Sequence, residues 1–411
     1  MSEARGNNAA NTTTSEKMAA NIKASTGVDS NNETPVRTVL TRARGWSRFL
    51  VMALALHIPL FIYPILRLCS WLELPLWLTV VVFVPLVSSQ VVSRFYLRHK
   101  FSLWHRWFRL LADFWLGISP LMLITLLIFE VLVLTNILST GPAAVSVIAI
   151  AVSCGLAGVV VAMVPVVKTI RFSSPGLAAP VRFVQITDVH IGSRSKSFLE
   201  TVVRKINKLS PDFVCITGDF IDAAGVPASD LESLKSISVP IYFTIGNHEK
   251  YEDLDNILER LTGLGVHVLR NETEHFRDDL QVIGIDDMDD AMQVERQLRK
   301  IDVGQDSFTL LLYHRPRGLE SAAAAGVDLM ISGHTHAGQI MPFNFAVNKV
   351  FDRIKGMYKH GDSRLYVSQG TGTWGPVMRV GTLSEITLFE LEPEQPGSQV
   401  GNRPYLKTGV D

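Results

Sequence analysis

Arg182-Phe183-Val184-Gln185-Ile186-Thr187 runs directly into Asp188-Val189-His190. The first six residues read as a strand, and the three that follow set a carboxylate and an imidazole two positions apart. Residues two apart on extended chain share a face, so Asp188 and His190 can address one cation. The arrangement recurs downstream. Phe213 to Thr217 leads into Gly218-Asp219, and Ile241 to Ile245 leads into Gly246-Asn247-His248-Glu249. Thr309 to Leu312 leads towards His314, and Leu329 to Ser332 into Gly333-His334-Thr335-His336. Open α/β sheets collect their ligands at the carboxyl ends of strands, where all five pieces fall.

So many donors exceed the needs of one ion. A two-ion site sets cations roughly 3.5 to 4 Å apart and needs a carboxylate able to bridge them. Imidazole, carboxylate and an amide oxygen suit Mn, Fe or Zn better than Ca, and no thiolate is placed to take over. Two divalent ions are therefore the expected cofactors, Mn first, with Fe or Zn as alternatives. Such a pair lowers the pKa of a shared water and neutralises phosphate oxygens, so the expected reaction is phosphoester hydrolysis by an activated hydroxide.

With these residues quoted, the chain resembles the calcineurin-like metallophosphoesterases, whose pattern runs D-x-H, G-D-x-x-D, G-N-H-[DE], a lone His and G-H-x-H. The second block stands here as Gly218-Asp219-Phe220-Ile221-Asp222, and the resemblance covers about Val181 to Leu391. It implies two facing sheets flanked by helices. It also implies that Asp188, His190, Asp219 and His336 hold one ion, while Asp219, Asn247, His314 and His334 hold the other, with Asp219 as bridge. His248 resembles the family histidine that contacts the phosphate and protonates the leaving group, a role suited to imidazole near neutral pH. Asp222 and Glu249 are expected behind the ligands, orienting a ligand or a backbone loop. One departure is Ala337, in a place often held by Gly. Gly370-Thr371-Gly372-Thr373-Trp374-Gly375-Pro376 resembles the post-histidine loop of membrane-bound bacterial members and is expected to shape the pocket rim. Within that branch the chain looks like the enzymes that cleave the pyrophosphate of UDP-2,3-diacylglucosamine in lipid A synthesis.

The upstream half is of another kind. Mean hydropathy is +0.22 for the whole chain, yet residues 180–392 look like an ordinary soluble domain, so the apolar excess lies earlier. Residues 1–45, rich in Asn, Ser, Thr and Ala, are expected to be a disordered tail, and 393–411 a C-terminal tail. Glu3, Glu16, Asp29 and Glu33 argue against an organelle transit peptide. Within 46–172 lie four apolar stretches, about Phe49 to Leu66, Leu74 to Val92, Phe114 to Leu134 and Ala143 to Val167. Each is near the roughly 20 residues that a membrane-crossing helix needs. Arg37, Arg42, Arg44 and Arg48 precede the first stretch; Arg94, Arg98, Lys100, Arg106 and Arg109 separate the second from the third; Lys168, Arg171 and Arg182 follow the fourth. The opposite connections hold only Arg67. Short basic connections stay inside, so four spans put both ends and the catalytic half on the cytoplasmic side of the inner membrane, with Trp104 and Trp107 as interface anchors.

Net charge is zero, which gives no support for a nucleic-acid partner. Cys69, Cys154 and Cys215 suggest no disulfide framework, and no obligatory protein partner is readable. The expected partners are membrane lipids and a phosphorylated, lipid-linked substrate. Asp286, Asp287, Asp289 and Asp290 read as a solvated loop and helix start rather than a further cation site. In Met341 to His360, Phe343, Phe345, Val347, Val350, Phe351, Ile354, Met357 and Tyr358 interleave with Lys349, Arg353, Lys355 and Lys359. Such a stretch either lies on anionic membrane or packs into the domain. Two alternatives to the lipid-linked phosphohydrolase stand: a phosphodiesterase on soluble nucleotides, and a membrane scaffold that binds metal or phospholigand without turnover.

Overall fold

The computed structural model describes residues 55–97, 102–223 and 225–394. The expected tails, 1–45 and most of 393–411, lie outside the described residues, as does the start of the first apolar stretch. The chain divides into two compact units at Pro59/Leu60, and everything below concerns the second.

That unit opens with helices α1 (Tyr63–Trp71), α2 (Leu76–Val91), α3 (Leu103–Leu134) and α4 (Thr140–Met163). Among the described residues, three helical segments are long and apolar enough to cross a membrane: Leu76–Tyr96, Leu103–Leu134 and Thr140–Met163. The first expected span, about Phe49 to Leu66, is not among them, because its described part belongs to the shorter apolar helix Ala55–Trp71. Pro85 and Pro120 lie inside α2 and α3 without ending them, as neighbouring helices allow. On α4 the buried residues are mostly small: Ala143, Ala144, Val147, Ala151, Gly155, Gly158 and Ala162. Spaced three and four apart, they form one stripe that lets α3 approach closely. Arg67 pairs with Glu130 at 2.6 Å, joining α1 to α3.

The α4 helix closes at Met163, and Val166 and Val167, which hydropathy counts with the last span, begin a strand instead. In chain order the strands are β1 (Val166–Ser174), β2 (Val181–Ile186), β3 (Phe213–Thr217), β4 (Ile241–Thr244), β5 (Val266–Val268), β6 (Glu272–Arg277), β7 (Leu280–Ile285), β8 (Phe308–Tyr313), β9 (Leu329–Ser332), β10 (Gly356–His360), β11 (Ser363–Val367) and β12 (Glu385–Pro393). They make two mixed sheets, ordered β1-β12-β2-β3-β4-β5 and β10-β11-β9-β8-β7-β6. The strands β2 to β5 run parallel, as do β7, β8, β9 and β11, while β12, β6 and β10 pair antiparallel to β2, β7 and β11.

Alternation along each strand builds three layers of core. Phe183, Phe213, Cys215 and Phe389 of the first sheet face Val282, Leu310, Leu312 and Ile331 of the second. Phe183 stacks between Phe213 and Phe389 at centroid distances of 4.8 and 4.7 Å. On the outer face of the first sheet, Val184, Ile186, Val214 and Ile216 receive Phe198, Val202 and Ile206 of helix α5 (Lys196–Leu209). Ser195 caps that helix by accepting from the amide of Phe198, and Ser210 ends it in a left-handed conformation before Pro211. The remaining labelled helices are α6 (Asn247–Tyr251), α7 (Leu254–Gly263), α8 (Gln293–Leu298), α9 (Leu319–Ala324) and α10 (Phe343–Val347). Residues of α8 and α9 cover the outer face of the second sheet through Val294, Leu298, Leu319 and Ala322. The cysteines are all free.

The stretch 341–360 is not one amphipathic helix. It splits into α10 and β10, with Phe351 and Ile354 buried and Met357 and Tyr358 packed on the domain, while Phe345 and Val350 stay about 62% and 63% exposed.

Candidate metal centre

Carboxyl ends of β2, β3, β4, β8 and β9 converge on one edge of the sandwich, and all seven expected ligands lie there. Three overlapping groups have donor atoms within 4.8 Å of one another: Asp188 with His190 and His336, His190 with Asp219 and His248, and Asp219 with His314 and His334. His190 Nε2 and His336 Nε2 are 3.1 Å apart, and His314 Nε2 and His334 Nδ1 are 3.2 Å apart. Asp219 Oδ2 lies 3.1 Å from His314 Nε2, and Asp188 Oδ1 lies 3.3 Å from His336 Nε2. Asn247 Oδ1 is buried with no hydrogen-bond partner among the described residues.

The backbone is forced into place. Asp188, His190, Asp219, His334 and His336 all have φ between 48 and 71°, the left-handed region that non-glycine residues rarely enter. Strain of this kind concentrates at sites where ligands must be aimed. Ala337 follows at φ 51°, the conformation that glycine adopts without cost. The motif glycines answer a separate need, close approach. A Cβ on Gly246 would stand 2.2 Å from Asp219 Oδ1, and one on Gly333 would stand 2.2 Å from Asp188 Oδ2.

Behind the donors, each side chain has a partner that fixes it. His314 Nδ1 lies 2.8 Å from the Thr217 carbonyl, so its proton belongs there and Nε2 is left to face Asp219. His190 Nδ1 is 3.3 Å from Asp222 Oδ2, within ion-pair reach though not aligned as a hydrogen bond. Asp222 in turn accepts from the amide and hydroxyl of Ser193. Glu249 accepts four backbone amides, those of Asp219, Phe220, Ile221 and Gly246, and so ties the β3 loop to the β4 loop. His248 donates its amide to Asp219 Oδ1 at 2.8 Å, with its ring 4.7 Å from that of His190 and partly open to solvent.

The buried charges couple the donors to one another. Burial opposes ionisation of Asp219, yet His314, with His190 and His248, holds its carboxyl far below the usual range. Burial likewise resists protonation of His314, but Asp219 and Asp188 lift it to about 10. Burial drives His334 and His336 well below normal, helped by His314 in one case and by His190 and Arg379 in the other. Burial also lowers His248, partly offset by Asp219. With Nδ1–H committed to Thr217, His314 Nε2 faces a carboxylate oxygen, acceptor to acceptor, unless a proton or a cation lies between. Together with the orphaned Asn247 oxygen, that donor set fits divalent cations. Loading one requires the His314 proton to leave.

Residues 181–338 match the calcineurin-like phosphoesterase family. The chain is 32% identical over 248 residues to an uncharacterized metallophosphoesterase of Helicobacter pylori, covering 56% of this chain and 65% of that one. It is 33% identical over 244 residues to one of Campylobacter jejuni, covering 56% and 63%. A transmembrane protein with metallophosphoesterase domain from Bos taurus is 32% identical over 238 residues, covering 52% and 53%. The chain thus spans less than two thirds of the length of each of these relatives.

Sequence reasoning missed two features of the phosphoesterase domain. One is Arg379, a buried guanidinium behind His336, whose only signal is a lone Arg between apolar Met378 and Val380. The other is the set of partners around Asp286 to Asp290. Arg270 pairs with Asp286, Arg315 with both Asp287 and Asp289, and Arg296 with Asp290, so the loop that leads into α8 carries ion pairs, with Asp286 and Asp287 buried and Asp289 exposed.

Proposed function

We propose that this chain is a membrane-embedded, metal-dependent phosphohydrolase that cleaves a phosphodiester or pyrophosphate. The observation that carries this reading is the convergence of Asp188, His190, Asp219, His314, His334 and His336 at the strand ends, with the unpartnered Asn247 oxygen on the loop that follows β4. Asp188, His190, Asp219 and His336 would hold one cation, and Asp219, Asn247, His314 and His334 the other. When bound, such cations neutralise phosphate oxygens and bring water towards ionisation at neutral pH.

The chain's own part is positional and protic. His248 Nε2 lies 4.0 Å from Asp219 Oδ2 on the open side of the cluster, and burial keeps its proton loosely held. As a hydroxide oxygen bonds to phosphorus and the bond to the leaving oxygen breaks, protonated His248 would give that leaving oxygen its proton. Glu249 and Asp222 keep the ligand loops from moving during the change in charge.

The substrate class we infer is lipid-linked, with the domain on the cytoplasmic face of the inner membrane. In support, Trp374 stands at the rim with its ring 6.1 Å from that of His248 and is about 57% exposed, and Phe345 and Val350 are exposed on the segment that follows the histidine pair. The basic residues flanking the apolar helices support the orientation.

Purified protein in detergent with Mn²⁺ is expected to hydrolyse bis(p-nitrophenyl) phosphate, and Asp219→Asn to abolish turnover. If both are equally inert while binding metal, the chain is a scaffold. A panel of phosphorylated lipids, UDP-2,3-diacylglucosamine among them, and soluble nucleotides, with products identified by mass spectrometry, tests the substrate class. Turnover of nucleotides alone would refute the lipid reading.

A further inference from the structure

Arg379 is about 1% exposed, and no carboxylate hydrogen-bonds it among the described residues. Its guanidinium instead gathers carbonyls. Nη2 donates to Gln369 at 2.7 Å, Gly370 at 3.0 Å and Gly372 at 2.8 Å, and Nη1 lies 3.4 Å from the carbonyl of His336. The turn so gathered is bonded along its other edge to the first ligand segment, Thr371 N to Thr187 O at 2.8 Å and Gly372 N to Asp188 O at 2.9 Å. Gly372 sits so close to Val189 that a Cβ there would stand 2.2 Å from its carbonyl oxygen. One side chain therefore backs Asp188, His190 and His336, and makes no hydrogen bond to His314 or His334.

The backbone of the same residue leads into the membrane helices. Arg379 N donates to Gly158 O of α4 at 2.9 Å. Met378, fully buried, fills a slot between the two longest helices. A Cβ on Gly117 of α3 would stand 3.0 Å from its Sδ, and one on Gly158 of α4 would stand 2.7 Å from its Cγ. Arg194, four residues past His190, makes a second tie by donating to Ala162 O at 3.0 Å near the end of α4.

We propose that Arg379 is a positioning residue through which the packing of α3 against α4 sets the geometry, and so the cation affinity, of the half-site made by Asp188, His190 and His336. A helix carbonyl and a slot shaped by Gly117, Gly155 and Gly158 fix where its backbone lies. The side chain carries that position to the ligands. The inference rests on reading the cluster as a metal centre.

The test titrates the full-length protein with Mn²⁺ in detergent, following two-site binding by calorimetry and by the Mn²⁺ spin-resonance signal, with no substrate present. Gly158→Val, which crowds Met378 and the Arg379 carbonyl, and Arg379→Gln are each expected to weaken one site about ten- to a hundredfold and leave the other within about twofold. Arg379→Lys should recover part of the loss, since an ammonium can hold some of the same carbonyls. Gly141→Val, on the same helix with open space around it, should change neither. The weakened site is identified by non-additivity: Arg379→Gln adds nothing to His336→Ala but keeps its full effect on His334→Ala. Unchanged binding in both Gly158→Val and Arg379→Gln, or equal loss at both sites, overturns the proposal. A wild-type protein that binds no Mn²⁺ sinks the metal-centre reading itself, which variants that differ from a metal-binding wild type cannot do.

Discussion

Replacing Gly246 by alanine adds one carbon at the point where two ligand loops touch. The residue has φ −97° and ψ −169°, which alanine adopts freely, so the change is steric and owes nothing to backbone preference. The added Cβ would stand 2.2 Å from Asp219 Oδ1 and 2.5 Å from Asp219 N. A tolerable carbon-to-oxygen separation is about 3.3 Å, so one partner must retreat by about 1 Å. Retreat is obstructed: Asp219 Oδ1 accepts from His248 N, and Glu249 pins both loops through Asp219 N and Gly246 N. Overpacking of this kind costs about 1–3 kcal/mol in stability, which the domain should survive. Displacing the Asp219 carboxylate by about 1 Å should lower kcat on the order of a hundredfold. The assay is bis(p-nitrophenyl) phosphate turnover at saturating Mn²⁺, with the unfolding midpoint measured beside it. Gly263→Ala, where a Cβ meets nothing within 4 Å, is the control and should match wild type in both. A Gly246→Ala protein that keeps its activity within about threefold would refute the claim that this contact aims Asp219.

Three further outcomes are expected. Asp222→Asn should lower Mn²⁺ affinity about 10- to 100-fold with little change in fold, since the carboxylate beside His190 Nδ1 orients that ring; calorimetric titration reads it. Saturating Mn²⁺ at about 100 times its Kd should raise the unfolding free energy by about 2.7 kcal/mol over chelator-treated protein, and identical melting in both would count against a folded-state metal site. Phe345→Ser combined with Val350→Ser should slow turnover of a phospholipid in mixed micelles while sparing an aryl phosphodiester in the same tube; equal rates on lipid would remove these side chains from substrate capture.

What was legible in the chain was whatever repeats locally. Strand after strand appeared as an apolar run closed by a donor, and β3 and β9 fall at the residues that the pattern marks, as does helix α5 between its Ser195 cap and Ser210-Pro211. The candidate donors were readable because an Asp or His that closes an apolar run stands out from its neighbours. The buried stripe of small residues on α4 was visible only as hydropathy. The strand β1 was hidden because Val166 and Val167 extend the same apolar run that makes the helix, and only pairing with β12, more than 200 residues later, turns them into sheet. The edge strands β6 and β10 carry polar and charged residues on their open faces, so their alternation is diluted.

The parts that were not legible share one cause, which is that they are closed by backbone atoms rather than by residue types. Phe351 looked like a candidate for membrane contact until its position showed its ring 5.2 Å from that of His334 and under the Arg317 guanidinium, so introducing Asp there would damage the centre instead of testing lipid contact. Arg379 is the stronger case. Its partners are carbonyls of residues 369, 370 and 372, and every residue supplies a carbonyl, so no sequence pattern can mark the receiver. The same holds for Glu249, whose four partners are amides on two separate loops. A buried ionisable side chain answered only by backbone fixes chain path rather than charge balance. In this protein such residues stand immediately behind ligands held in left-handed backbone, a conformation that costs of order 1–3 kcal/mol per residue and persists only where its surroundings enforce it. The enforcement comes from side chains whose value is invisible until the loops are closed, which is why the donors could be read from the chain and the frame that aims them could not.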